Sequence, residues 1–248
     1  MKQESLEETT RKKWSVSIQW EGTVLQVDVN IQSKTNLSFV MGPNGSGKTT
    51  FLRLILGQIR PKKGLVSIGE NICFDSSLGI SLPIQQRNIG YVPQKDCLFE
   101  HMDVLDNVAF GLLAQGIPKK ERREKATKIL EKMDSRSLIE SSIRFCSGGQ
   151  RRIIALARTL ITKPKLLLLD EPLSSLDFVA KDHMRHIIQT YVIEEQIPCI
   201  WITHDLENIR RISGALFLMH QGACVYQGTT HADFLQRDNE LFRFFQLK

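Results

Sequence analysis

Residues Gly42 to Thr50 read Gly-Pro-Asn-Gly-Ser-Gly-Lys-Thr-Thr. This fits G-x-x-x-x-G-K-[ST], the pattern of a loop that cradles phosphate. Gly42, Gly45 and Gly47 let the backbone curl so that its N–H groups point at an anion, and Pro43, Asn44, Ser46 and Thr50 complete the cradle. Lys48 is placed to reach terminal phosphates, and the Thr49 hydroxyl to ligate Mg²⁺. A second group is Asp170-Glu171, at the end of the apolar run Leu166–Leu169. Asp170 is positioned to bind Mg²⁺, and Glu171 to polarise water for in-line attack on a γ-phosphate. A third is Ser147-Gly148-Gly149-Gln150, a serine and two glycines ahead of the apolar, basic stretch Arg151 to Ile161. At a helix start these form a second anion-binding nest. One nucleotide has one γ-phosphate, already assigned to Lys48. The economical arrangement is a head-to-tail dimer in which the nest of one copy closes on the nucleotide of the other.

These groups need a scaffold of strands and helices. Leu37–Met41 suits a buried strand before the loop, and Phe51, Leu52, Leu54, Ile55 and Leu56 an apolar helix start after it. Leu166–Asp170 and Cys199–Thr203 read as parallel strands buried on both faces. Trp14 to Trp20 and Val24 to Ile31 alternate around the turn Glu21-Gly22-Thr23, which predicts an antiparallel hairpin. Leu65–Ile68, Ile72–Phe74 and Asn88–Val92 read as further strands. Residues 97–150 change to helical periodicity, with Val104, Leu105, Val108, Ala109 and Leu112 on one face and Pro118 suited to the first turn of the next helix. The basic run Lys119–Lys125 is broken by acids and leads into Ala126, Ile129, Leu130 and Met133, as on the solvated face of an amphipathic helix. Residues 1–12 read as a polar tail. The expectation is one folding unit over 1–248, an α/β lobe with a helical insertion at 97–150.

The 248 residues, 42% of them hydrophobic, suffice for a sizeable core, and the net charge of +6 selects no partner alone. Cys73, Cys97, Cys146, Cys199 and Cys224 are scattered and odd in number, which points to reduced thiols in the cytosol. The N-terminus lacks the apolar core of a signal peptide, and no stretch approaches 18 uninterrupted apolar residues. Any membrane role is therefore expected to be peripheral.

With the three groups in this order, the chain resembles the ATP-binding subunits of ABC transporters over nearly its whole length. The resemblance implies a P-loop NTPase core with an antiparallel β subdomain and a helical signature-motif subdomain. Gly42–Thr50 matches the Walker A loop, Ser147–Gln150 the signature motif, and Leu166–Asp170 Walker B, with Glu171 as catalytic carboxylate. Ser174-Ser175-Leu176-Asp177 matches the D-loop, which communicates across the dimer. His204 matches the switch histidine that contacts the γ-phosphate. Gln94 matches the Q-loop glutamine that senses Mg²⁺ and water and is linked to the membrane subunit. Trp20, 22 residues before Gly42, matches the aromatic residue that commonly stacks on adenine, with Trp14 as a competitor. Cys146 stands where the signature usually opens with Leu. It can pack as a small hydrophobe, or carry a depressed pKa at the helix N-terminus.

The resemblance further implies ATP and Mg²⁺ as ligands. A second copy, integral membrane permease subunits and, indirectly, a solute-binding protein are the implied partners, with no nucleic acid. The expected place is the cytoplasmic face of the plasma (inner) membrane. Lys48 and Ser147 are 99 residues apart, too close for the long coiled-coil insertion of chromosome-maintenance ATPases. Residues 71–94 and Leu98–Met102 resemble the molybdate, tungstate and sulfate importer branch, and polyamine and iron importers share part of them. A soluble, non-transport ABC ATPase is the alternative. Only 44 residues follow His204, fewer than the extra C-terminal regulatory domain of many molybdate and sulfate ATPases. Inhibition through such a domain is therefore not expected.

Overall fold

A computed structural model describes residues 13–22 and 25–230. The polar tail 1–12, Thr23 of the expected turn and Val24 at the start of the expected second strand lie outside them. The strands are β1 (Trp14–Glu21), β2 (Gln26–Ser33), β3 (Leu37–Met41), β4 (Lys63–Ile68), β5 (Asn71–Asp75), β6 (Ile80–Ser81), β7 (Ile89–Val92), β8 (Leu166–Asp170), β9 (Cys199–Ile202), β10 (Ala215–His220) and β11 (Ala223–Thr229). The α-helices are α1 (Lys48–Leu56), α2 (Val104–Leu113), α3 (Lys119–Lys132), α4 (Gly148–Leu160), α5 (Phe178–Glu194) and α6 (Leu206–Arg211). Among the described residues the strands join in the order β6-β5-β4-β1-β2-β11-β10-β3-β9-β8-β7.

This sheet has two characters. From β6 to β2 every pairing is antiparallel, and from β10 to β7 every pairing is parallel. The hairpin β10–β11 joins the two halves, antiparallel within itself and parallel to β3 on one side and β2 on the other. Sequence periodicity had not separated these two strands from the chain around them. Their signal is the uninterrupted run Ala215–Met219 followed by the turn Gln221-Gly222, both in left-handed backbone.

Strand alternation explains why β8 is apolar at four successive positions. Leu166 and Leu168 face one core with Phe51, Leu52 and Ile55 of α1. Leu167 and Leu169 face a second core shared with α4, α5 and the helices of the insertion. Both faces of the parallel half are therefore covered. Trp14 is fully buried, edge-on to Phe217, with its indole N–H on Ser38 Oγ at 3.3 Å. Helix α3 buries Ala126, Ile129 and Leu130 and leaves its lysines exposed, while Arg122 and Arg123 are half-buried against Ile117 O and the Asp103 and Asp106 carboxylates.

Two boundaries differ from expectation. Pro118 is the N-cap of α3 rather than part of its first turn. α4 begins at Gly148 instead of Arg151. Ser147 Oγ accepts from Gln150 N–H, and the Gln150 carboxamide accepts from Ser147 N–H. This reciprocal cap brings both glycines into the helix despite their poor intrinsic propensity.

Candidate active site

Strands β3, β9, β8 and β7 are parallel neighbours, so their C-terminal ends meet along one edge of the sheet. Ligands of open α/β sheets gather at such edges. β3 delivers the glycine-rich loop, β8 delivers Asp170 and Glu171, β9 leads to Thr203 and His204, and β7 leads to Gln94. A cavity of about 390 Å³ opens there, lined by Asn44 to Thr50, Gln94, Asp170, Glu171 and His204, with Leu25 and Ile202 as apolar wall.

The loop is built for close approach. A Cβ on Gly42 would lie 2.2 Å from Met219 O, so only glycine lets the loop pass β10. Gly47 takes φ 100°, open to glycine and strained for other residues. Unlike α2, α4, α5 and α6, which are capped by Asp103, Ser147, Asp177 and Asp205, α1 has no side-chain cap and no acid in its first turn. Its first N–H groups are left for an external anion. Ser46 Oγ is buried without a hydrogen-bond partner among the described residues. Gly222 N–H donates to Ser46 O at 2.9 Å, which ties the loop to the β10–β11 turn.

Lys48 Nζ donates to Gly42 O at 2.7 Å and Pro43 O at 2.9 Å. Burial lowers its pKa, opposed by the negative charges of Glu171 and Asp170. Asp170 is buried at 6% exposure. Burial raises its pKa, opposed by the Tyr91 hydrogen bond and by Lys48. Desolvation thus disfavours both charges, and a phosphate on Lys48 with a cation on Asp170 would relieve both. The Thr49 hydroxyl, the Asp170 carboxylate and the Gln94 carboxamide give an all-oxygen set that suits a hard cation such as Mg²⁺.

Glu171 sits in left-handed backbone, φ 51°, a conformation that costs a non-glycine residue about 1–3 kcal/mol. Its N–H donates to Ile202 O at 3.1 Å, and its carbonyl accepts from Ser174 N–H at 3.1 Å and Ser174 Oγ at 2.8 Å. Those bonds to β9 and to the Ser174–Asp177 turn fix the direction of its side chain. The carboxylate Oε1 lies 2.7 Å from His204 Nδ1. The imidazole thereby orients the carboxylate. Thr203 Oγ1, which accepts from Asp205 N–H and Asn208 Nδ2, braces the loop that carries His204.

Several expected residues lie elsewhere. Pro43 is outside the lining and contributes its carbonyl to Lys48. Ser147, Gly148, Gly149 and Gln150 are away from this cavity, on a surface where a Cβ on Gly148 would meet nothing. The capping box occupies the Ser147 and Gln150 amides, so Gly148 and Gly149 supply the free donors of that nest. Trp20 is not in the lining. It is half-buried on β1, and its ring covers Gly22, where a Cβ would come within 2.2 Å. Trp14 is closed off in the core, which removes it as a competitor for a base. All five cysteines are free. Burial pushes the Cys146 thiol up, its Sγ contacts Ser142 O at 3.4 Å and its side chain packs against the core, which favours the packing role over a depressed pKa.

Tyr91 was not foreseen. Its phenol, pushed up to about 12 by burial and by Asp170, donates to Asp170 Oδ2 at 3.2 Å. The contact crosses from β7 to β8, 79 residues apart, so no local pattern announces it.

The ABC transporter family model matches residues 24–174. The molybdenum import ATP-binding protein of Vibrio vulnificus is 33% identical over 205 residues, 83% of this chain and 54% of that protein. The molybdate/tungstate import ATP-binding protein of Pyrococcus horikoshii is 35% identical over 207 residues, 83% of this chain and 58% of that one. Import ATP-binding proteins for iron(III) ions and for spermidine/putrescine are also similar. The chain spans just over half the length of the curated relatives it matches. Among solved structures, cbiO1 of Clostridium perfringens, part of the ABC transporter complex cbiONQ, has a TM-score of 0.80 at 24% identity, covering 96% of both chains. A dimeric ATP-binding cassette in a post-hydrolysis state with ADP and Pi has a TM-score of 0.72 at 23% identity, covering 88% of this chain and 99% of that one. At these identities the likeness establishes the fold: a P-loop ABC ATPase.

Proposed function

This chain belongs to the ABC transporter family, and from that premise we propose that it is the ATP-binding, ATP-hydrolysing subunit that energises an importer. The observation that carries the reading is the convergence of Lys48, Thr49, Gln94, Asp170, Glu171 and His204, from four parallel strands, on one cavity beside an uncapped helix start. The chain acts as one domain, with 97–150 as its helical insertion.

Lys48 and the loop amides hold the β- and γ-phosphates. Thr49 and Asp170, with Gln94 beside them, would hold Mg²⁺, which would supply charge neutralisation for the transferring group. Glu171 orients a water molecule and accepts its proton as the water oxygen bonds to the γ-phosphorus. The bond from that phosphorus to the bridging oxygen breaks, and ADP carries the electron pair away. His204 steadies Glu171 and turns toward the γ-phosphate. Trp20 stacks on adenine, which requires its ring to leave Gly22. Two copies close head to tail, so that Ser147, Gly148, Gly149 and Gln150 of one complete the site of the other. Closure drives membrane permease subunits at the cytoplasmic face of the membrane, and a solute-binding protein delivers the cargo to them. No described helix is long and apolar enough to cross a membrane.

Molybdate or a related oxyanion is the proposed cargo, from the relatives above. A second reading, iron(III) or a polyamine, rests on relatives that are 37% and 40% identical. The site touches nucleotide only, so the membrane partner decides between them. The test is Mg²⁺-dependent ATP hydrolysis by the purified chain, together with co-purification from its native membranes. An integral membrane protein in the complex is expected. Ribosomes or DNA in its place would refute the transport role, and absence of ATPase activity from the assembled complex would refute the enzyme.

A further inference from the structure

A second cavity, of about 730 Å³, shares no lining residue with the nucleotide cavity. Lys163 and Pro164 lead into β8 and Ile197 into β9. It therefore opens at the N-terminal edge of the parallel strands, opposite the edge that carries Lys48, Asp170 and His204. The insertion supplies one wall, through the end of α2 and the middle of α3. The core supplies the other, through the end of α4 and Tyr191 of α5. The floor is aliphatic: Leu112, Ile129 and Leu160 are buried, and Ile117, Ile161 and Ile197 are half-buried. The one aromatic ring, Tyr191, has Lys132 Nζ over its face at 4.5 Å. A nucleobase would look for an open aromatic face to stack on, and a hydrocarbon chain needs none. The volume is that of a small-molecule site.

The rim is cationic. Lys125, Lys128, Lys132 and Lys163, all exposed, line it against one carboxylate, Glu195. The C-terminal ends of α2, α4 and α5 add roughly half a negative charge each, which leaves the lining net positive. Lys132 is held by Glu194 and Glu195, and Lys125 by Glu121 at 2.8 Å. Neither Lys128 nor Lys163 forms a salt bridge among the described residues. They stand on the two sides of the opening, Lys128 on α3 and Lys163 on the loop after α4. We propose that this cavity binds a single-chain amphipathic anion, its hydrocarbon tail on the aliphatic floor and its carboxylate or phosphate head between Lys128 and Lys163. Such a ligand touches the insertion and the core at once, so its occupancy ties α3 to the strands. The inference goes beyond the proposed ATPase function and does not depend on it.

The experiment is titration calorimetry on the full chain with dodecanoate and with dodecyl phosphate, each below its micelle concentration. One saturable site is expected for both, the tighter probe identifying the head group. In the series octanoate, decanoate, dodecanoate, Kd should fall by up to about fourfold per methylene, as burial of each CH₂ allows. Lys128→Gln combined with Lys163→Gln should weaken dodecanoate at least about tenfold, the low end for losing hydrogen bonds to a charged group. Both lysines are exposed, so the thermal midpoint of the ligand-free variant should match the parent's. Excess Mg·ATP should leave the dodecanoate Kd unchanged, because the two cavities share no residue. The proposal is overturned by absence of saturable binding, by equal binding of dodecyltrimethylammonium, or by an unchanged Kd in the double variant. Competition with Mg·ATP would place the probe in the nucleotide cavity and overturn it too. So would binding to phosphatidylglycerol vesicles without binding of the monomeric probes, which would make the lysines a membrane-facing surface instead.

Discussion

Replacing Glu171 with Gln tests the centre of the mechanism. The amide has the carboxylate's shape, so the left-handed backbone at φ 51° and the Ser174 and Ile202 hydrogen bonds are undisturbed. The carboxamide oxygen can still accept from His204. The negative charge and the ability to take a proton from water are lost. A general base contributes about 10²–10⁴ in rate, or roughly 3–5 kcal/mol of barrier. Hydrolysis should therefore fall at least about 100-fold. Binding should survive, because Lys48, Thr49, Asp170 and the loop amides are unchanged, and removing a negative charge beside the phosphates acts in favour of ATP. With hydrolysis blocked, ATP should hold two chains together. The assays are phosphate release under single turnover and particle size by light scattering with Mg·ATP at high protein concentration. Lys48→Ala and Ser147→Arg should each abolish the dimer, from opposite ends of the shared contact. Hydrolysis at the parent rate would refute the role of Glu171. A variant that binds ATP yet stays monomeric at high concentration would refute the shared site for this chain alone.

Other consequences are direct. Lys48→Ala should abolish turnover and strongly weaken ATP binding in equilibrium dialysis, because the phosphates lose their cation; near-normal turnover would overturn the loop assignment. Trp20→Ala should raise the apparent KM for ATP roughly fivefold with little change in kcat, taking about 1 kcal/mol as the low end for base stacking. A KM within twofold of the parent excludes the stack. Trp14→Ala should leave KM unchanged and destabilise the fold by about 3–5 kcal/mol in urea titration, as expected for emptying a buried aromatic site. Cys146, its thiol pushed up by burial, should react with a disulfide reagent at pH 7.5 more slowly than free glutathione does; faster reaction would mean an activated thiolate.

Local sequence was enough for everything that follows from residue type at short range. The order Gly42–Thr50, Ser147–Gln150, Asp170-Glu171 and His204 named the elements of the site, because each is a contiguous segment whose glycines, caps or strand-end acids act locally. The apolar runs at β3, β8 and β9 announced buried strands, parallel ones at β8 and β9, and the acid-broken basic run announced the amphipathic character of α3. What sequence could not decide was who meets whom. Tyr91 reaches Asp170 across two strands, and Arg152 of α4 holds the carbonyls of Pro93 and Gln94 from far along the chain. Trp20 lies over Gly22 whereas Trp14 lies in the core, though both occupy the same face pattern of one strand. The β10–β11 hairpin escaped notice because its role is to join two half-sheets, a property of pairing partners and not of the segment itself. The capping box moved the start of α4 because a cap's worth depends on geometry that spacing alone does not give. Residue type fixes what chemistry is possible, while pairing across distant strands fixes which groups share a cavity.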